Sequence, residues 1–293
     1  MYSRPSGRRL DSGNLSFHTY LTRQQDHLYL PVTFLIPHTD SIHHVLSNPF
    51  LAILHLLKFL LLGSGLFLSI ISEYFCYLHS TKLPPRNHKP TRDLPDLEMF
   101  WTAASINPSF SNSPFPKGKG GGSIMIQNSV PKSFGTVRLT PEGANDIKVD
   151  PLVDPRHLSD PTDWPAYRRG LKYAREIGAE MRGGYEVDED RFPKSDQDED
   201  LDAYIREHGL SSQHLLSSCR MKKLEDGGVV DLQLKVHGIQ GLRIADGSVI
   251  PGMIASRPQA TVVMVAERCA EFIRSGWKGK DFGEMGGHQY ITD

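Results

Sequence analysis

Cysteine is scarce and scattered: Cys76, Cys219 and Cys269 are the three in the chain, and none belongs to a C-x-x-C pair. That excludes a disulfide framework and a zinc knuckle, and it fits a reducing compartment, so the cytoplasm is the expected location. Surplus charge is missing too. With 33 Lys and Arg against 34 Asp and Glu, the formal net charge is −1, which leaves no electrostatic footprint for nucleic acid. No G-x-G-x-x-G fingerprint occurs. "FPKGKGGGS" (Phe115–Ser123) puts Ser123 at the last required glycine, and "GSG" at 63–65 fails the same test. The phosphate-cradling turn that opens a dinucleotide-binding domain is therefore absent from the sequence.

What is present changes along the chain. At 293 residues there is room for one large domain or two small ones, since domains run to ~100–200 residues. Residues 1–89 are rich in Leu, Phe, His and Ser, show no steady strand or helix period, and read as a leader outside the fold, its histidines incidental. Within it, "FLAILHLLKFLLLGSGLFLSIIS" (Phe50–Ser72) reaches the ~20 apolar residues that a membrane span needs. Two features oppose a span. His55 and Lys58 lie inside the run, and a central Lys costs ~2.5–3.5 kcal/mol on insertion. The uncharged part, Phe59–Ser72, has only 14 residues, nearer a buried helix. The run also starts too far in for an ordinary signal peptide. A single-pass anchor and a leader foreign to the fold both stay open.

Residues 90–122 read as linker and loop, with Pro-rich Pro84–Pro95 leading in. From Ser123 the pattern becomes α+β. "SIMIQNSVP" and "GTVRL" read as short strands, with Gly135 at a bend. "SDPTDWPAYRRGLKYAREIGAEMRGG" reads as a helix with Pro165 in its first turn and Gly183-Gly184 beyond its end. "SDQDEDLD" is expected to be a solvated loop rather than a metal site, leading into a short helix, "LDAYIREHG". "HLLSSCRM" (His214–Met221) and "GGVVDLQLKVHGIQGLRIADGSVIP" read as short strands. "RPQATVVMVAERCAEFIRSG" reads as a helix with Pro258 in its first turn, a buried stripe of Val262, Val265, Ala266, Cys269 and Ile273, and Gly276 as its stop. Residues 278–293 form a tail.

These segments, in this order, resemble the C-terminal signature of the glucose–methanol–choline (GMC) flavin oxidoreductases. "HLLSSCRM" matches that family's His-Pro-x-Gly-Thr-Cys-x-Met, "GGVV" and "GLRIADGSVIP" match its Gly-Val-Val-Asp turn and Gly-Leu-Arg-Val-x-Asp-x-Ser-x-x-Pro, and "PKSFGTVRL" matches its Pro-x-Ser-x-Gly-x-(Val/Ile)-x-Leu strand pair. The likeness spans roughly Asp93–Trp277. It implies a GMC C-terminal substrate domain over 123–277, an antiparallel sheet with flanking helices, truncated, without the Rossmann-like FAD domain.

The resemblance further implies FAD as cofactor, with Asp246 and Gly247 against its ribityl–pyrophosphate part and Pro258, Gln259 and Ala260 at the ring, where a helix N-terminus favours negative charge. His214 aligns with the family's base, and imidazole suits that work because its unperturbed pKa is ~6.5. The second active position, six after the proline of "DGSVIP", falls on Arg257, where other members carry His or Asn. An arginine there, in "SRPQATVVM", is the formate-oxidase pattern. Arginine accepts no proton at ordinary pH but holds a carboxylate by two parallel bonds. Formate oxidation with oxygen as acceptor is the expected activity. A small-alcohol or choline oxidoreductase, or a non-catalytic piece that does not hold FAD alone, are the alternatives. Cys219 is expected to be a packed thiol and His237 a turn residue.

Overall fold

The computed structural model describes residues 23–69, 72, 74–82, 94–108, 114–140, 143, 146 and 148–277. The expected tail and residues 1–22 lie outside them. In chain order the regular elements are β1 (Leu28–Pro37), α1 (Ile42–Leu46), α2 (Pro49–Leu62), β2 (Tyr74–Leu78), β3 (Leu97–Thr102), β4 (Lys119–Asn128), β5 (Thr136–Arg138), β6 (Leu152–Asp154), α3 (Trp164–Glu180), β7 (Glu186–Val187), α4 (Asp198–His208), β8 (Leu210–Ser211) and α5 (Gln259–Trp277). The main sheet runs β2-β3-β4-β1-β7, with β8 also on β1, and every pair in it is antiparallel.

The leader reading fails at β1. This strand lies inside the sheet, with β4 on one side and β7 and β8 on the other. Leu28, Leu30, Val32, Phe34 and Ile36 share one face and are all buried, as the period of two requires. α3 covers that face through Tyr167, Leu171 and Ala174, and α4 through Leu201, Tyr204 and Ile205. Burying each large apolar side chain contributes about 1.5–3 kcal/mol. A proline inside a sheet ordinarily breaks the ladder. Pro31 escapes because β8 pairs with Leu28 and Tyr29 and β7 with Phe34 and Leu35, leaving a gap between them. The Tyr204 hydroxyl donates to the Pro31 carbonyl at 2.9 Å.

The linker reading fails similarly, since 90–122 contains β3 and the start of β4. Within "GKGGGS", Gly121 and Gly122 are strand residues stripped of side chains to admit rings. A Cβ on Gly122 would come 2.5 Å from Trp101, and one on Gly121 2.5 Å from Phe115. The apolar run that begins at Phe50 forms most of the 14-residue α2, capped by Asn48 and ended by Gly63 at φ 55°. No helix among the described residues is long and apolar enough to cross a membrane.

A second, smaller core gathers Leu216, Val230, Leu234, Val236, Val249, Ile250, Val265 and Cys269. Here the expected strands reduce to isolated bridges, such as Gln25 with Leu216 and Val230 with Val236. On α5, Val265 and Cys269 are buried, whereas Ala266 and Ile273 are exposed and Gly276 lies within the helix. The acidic run starts α4 rather than forming a loop, which puts Asp198, Glu199 and Asp200 at the positive end of the helix dipole.

Candidate active site

The segment just before β1, Gln24–His27, and the turn just after β8, Ser211–Leu216, lie side by side. Gln25 and Leu216 exchange two backbone hydrogen bonds, each 2.9 Å. The turn at His214 is sharp, with Gln213 at φ 58° and Ser217 at φ 73°. Asp26 holds it. One carboxylate oxygen accepts the backbone N–H of His214 at 2.8 Å, and the other accepts Ser211 Oγ at 2.5 Å and His157 Nε2 at 3.1 Å. Burial alone would raise the Asp26 pKa, but the bonds from His157, Ser211 and His214 outweigh it and hold the carboxyl below its usual range.

The His214 ring meets a second imidazole edge-on. Its Nδ1 lies 2.9 Å from His27 Nδ1, with ring planes at 82°. The far nitrogen of His27, Nε2, is 3.1 Å from the Ser129 carbonyl. His27 is fully buried, and that burial brings its pKa down to about 4, with the Ser129 carbonyl opposing and His214 adding to the shift. His214 is half-buried, and its pKa is also lowered, first by desolvation; Asp26 works against this and the charge of Arg257 adds to it.

Arg257 therefore shares the electrostatic neighbourhood of His214. Its guanidinium sits over the Phe75 and Phe100 rings, 4.7 and 4.6 Å from their centroids. Nη2 faces Glu98 Oε1 at 3.4 Å, with the arginine side chain 44% exposed and Glu98 fully buried. Desolvation raises the Glu98 pKa, and Arg257 opposes the rise. The other Glu98 oxygen accepts Gln127 Nε2 at 3.2 Å, and Gln127 Oε1 accepts Ser212 Oγ at 2.8 Å. A polar path thus joins Arg257 to the residue two before His214. Gln25 closes the ring from the other side, its Oε1 accepting the Met253 N–H at 2.9 Å in the loop that leads to Arg257.

The residues expected at a cofactor lie next to this pair. Asp246 accepts Ser248 N at 2.8 Å and so fixes the turn that carries Gly247. A Cβ on Gly247 would come 3.0 Å from the Leu215 carbonyl and 3.5 Å from Val262, so this glycine sits between the His214 turn and the start of α5. Pro258 is buried and its carbonyl accepts Val262 N at 2.9 Å, while Gln259 and Ala260 form an exposed first turn. Cys219 is half-buried, and burial pushes its thiol pKa up. His27, Asp26, Glu98 and Gln127 were not among the expected site residues. The signal for His27 was its position directly ahead of an alternating apolar strand.

Residues 131–266 match the C-terminal family model of the GMC oxidoreductases. Over these residues the chain is similar to the C-terminal domain of the GMC oxidoreductases. The chain is 34% identical over 193 residues to the choline oxidase of Arthrobacter globiformis, covering 64% of this chain and 35% of that one. A dehydrogenase of Strobilurus tenacellus, str4, is 30% identical over 281 residues, covering 85% of this chain and 44% of its own length. In fold the chain is similar to a formate oxidase of Aspergillus oryzae RIB40, with a TM-score of 0.74, 22% identity and coverage of 88% of this chain and 48% of that one. The chain spans less than half the length of each of these proteins.

Proposed function

We propose that the chain serves the FAD-dependent oxidation of a small substrate, formate first, with oxygen as final acceptor and hydrogen peroxide as product. The observation that carries this reading is Arg257, a part-exposed guanidinium fixed by two aromatic rings and Glu98, whose charge acts on His214.

The residues present fit a flavin. α5 opens on an exposed turn at Gln259 and Ala260, and the unpaired N–H groups and dipole of a helix start favour negative charge. The Ser217 hydroxyl is buried without a partner, a group with bonding capacity left for a ligand. Leu215, Val263 and Met264, 50, 55 and 61% exposed, offer apolar surface of the kind that a ligand or a second domain covers. Asp246 and Gly247 would hold the ribityl–pyrophosphate part, and Pro258, Gln259 and Ala260 the ring edge. A bound flavin supplies the acceptor for the hydride and passes the electrons on to oxygen.

Formate has no hydroxyl proton, so its oxidation needs a grip on the carboxylate more than a base. Guanidinium carries five N–H donors. Arg257 directs one nitrogen at Glu98 over a long 3.4 Å contact, which leaves donors for two parallel charge-assisted bonds to a carboxylate. Phe75 and Phe100 fix the plane of that fork. His214, neutral at pH 7 through its lowered pKa, carries a single N–H and gains a second donor and a positive charge for an anion on taking up a proton.

Oxidation of a neutral alcohol is the second reading, favoured by the choline oxidase relative. Here neutral His214 receives the hydroxyl proton as hydride leaves the carbon. Choline itself fits less well, because its ammonium would face the Arg257 cation. A third reading, a chain that holds no FAD by itself, is decided by colour. The purified chain is tested for flavin absorbance and then for peroxide release with formate and with primary alcohols. Formate-dependent peroxide supports the first reading, alcohol-dependent peroxide alone the second, and a colourless protein the third.

A further inference from the structure

The geometry points to His27 as the positioning residue that fixes the tautomer of His214, taking its Nδ1 hydrogen bond and leaving Nε2 as the nitrogen through which every proton enters or leaves. The role of this arrangement in oxidation rests on the proposed function; the hydrogen-bond assignment does not.

The Ser129 oxygen can only accept, so His27 Nε2, 3.1 Å away, must carry a hydrogen. Ser129 is itself fully buried, and its N–H donates to the Asp96 carbonyl at 2.8 Å, so that acceptor does not move. With a pKa near 4, His27 is neutral at pH 7. A neutral imidazole carries one hydrogen, and here it is spent on Ser129. His27 Nδ1 is therefore bare.

The second nitrogen of the 2.9 Å contact, His214 Nδ1, must then supply the hydrogen between the rings. Neutral His214 is left with a lone pair on Nε2. Protonated His214 carries its second hydrogen there as well. The His214 backbone is pinned by Asp26, so the ring has little freedom to escape the assignment. Without His27, the ordinary preference of free histidine for the Nε2–H form would place a hydrogen where a substrate proton has to arrive. One buried histidine thus converts its neighbour from a donor into an acceptor at the working nitrogen, the role that carbonyls and carboxylates play behind metal-bound imidazoles.

The test is nuclear magnetic resonance on the full chain, isotopically labelled, with neither flavin nor substrate added, so that its outcome is independent of activity. At pH 7, His214 is expected to show a protonated-type Nδ1, an unprotonated-type Nε2 and a nitrogen–nitrogen coupling to His27 across the hydrogen bond. His27→Leu, which removes the acceptor, is expected to shift His214 to the Nε2–H form, and His27→Asn, whose Oδ1 replaces the acceptor, to restore the Nδ1–H form. A wild-type His214 protonated on Nε2 overturns the inference. So does a His27→Leu protein that keeps the Nδ1–H form, or a His27→Asn protein that loses it. If the leucine variant does not fold, the wild-type shifts and coupling decide alone.

Discussion

Asp26 and His214 lie 188 positions apart in sequence, yet the Asp26 carboxylate accepts the His214 backbone N–H at 2.8 Å. Through this bond a residue ahead of the first strand holds the site turn after the last one. Ser211 and His157 complete the same carboxylate. Replacing Asp26 by Asn removes the charge and turns one acceptor into a donor, at a cost of about 3 kcal/mol for a buried, charge-assisted cluster. A loss of unfolding free energy of that size in urea titrations, against unchanged midpoints for substitutions on the exposed face of α4, is the expected result.

The sign of the pH effect follows from the same bonds. The folded pKa of Asp26 is depressed, so its stabilisation is fully present above the unfolded value of about 3.9 and is lost as pH falls through the lower folded value. The Asp26→Asn protein should therefore show a flatter loss of stability below about pH 4 than the wild type. Denaturant midpoints measured from pH 7 downward check this; equal acid limbs would show that the carboxylate is not the titrating group.

Arg257→Asn is expected to lower formate kcat/KM by about 100-fold or more, the equivalent of two charge-assisted bonds at about 1.5–3 kcal/mol each. It also strands Glu98, which is fully buried and already raised in pKa by desolvation. The single variant should thus be less stable, and the double variant Arg257→Asn/Glu98→Gln should regain stability without regaining formate use. A double variant that recovers both would make Arg257 a structural residue only.

His214 links the substrate to pH in opposite directions. Its pKa in the free site is lowered by desolvation and by Arg257, against Asp26, so at pH 7 it is neutral. Binding of a carboxylate anion next to it favours proton uptake, and formate affinity should weaken as pH rises. An alcohol needs the neutral ring, and its oxidation should strengthen as pH rises through a value below about 6.5. Formate affinity and alcohol turnover measured between pH 5 and about 9 separate the two, and a pH-independent formate affinity would remove His214 from anion binding.

Gly135 pairs with Gln24 through two backbone bonds, 2.7 and 3.1 Å, at the start of the segment that carries Asp26 and His27. A Cβ there would lie 2.3 Å from the Asp154 carbonyl and 2.6 Å from Pro155, backbone atoms that do not yield. Gly135→Ala should cost about 1–3 kcal/mol and displace the Gln24–His27 segment, read as a lowered Tm together with altered His27 and His214 resonances.

His214 and Arg257 stood out in the sequence as candidates because they lie in ordered local motifs, and α3 was legible because its period is regular. β1 was also written there, as Leu-x-Leu-x-Val-x-Phe-x-Ile, but Pro31 masked it; a proline reads as an edge or a break unless the gap between β7 and β8 is known. With β1 went His27 and Asp26. Glu98 could not be read at all, since its meaning comes from an arginine 159 positions away. The glycines of β4 look like a loop until Trp101 and Phe115 are seen lying against them.

The most direct test of the proposed chemistry is anaerobic mixing of the FAD-loaded chain with formate, following flavin absorbance. Formate is expected to bleach the flavin of the wild type and not that of Arg257→Asn. Bleaching by a primary alcohol with none by formate, or equal bleaching in both proteins, would contradict that chemistry.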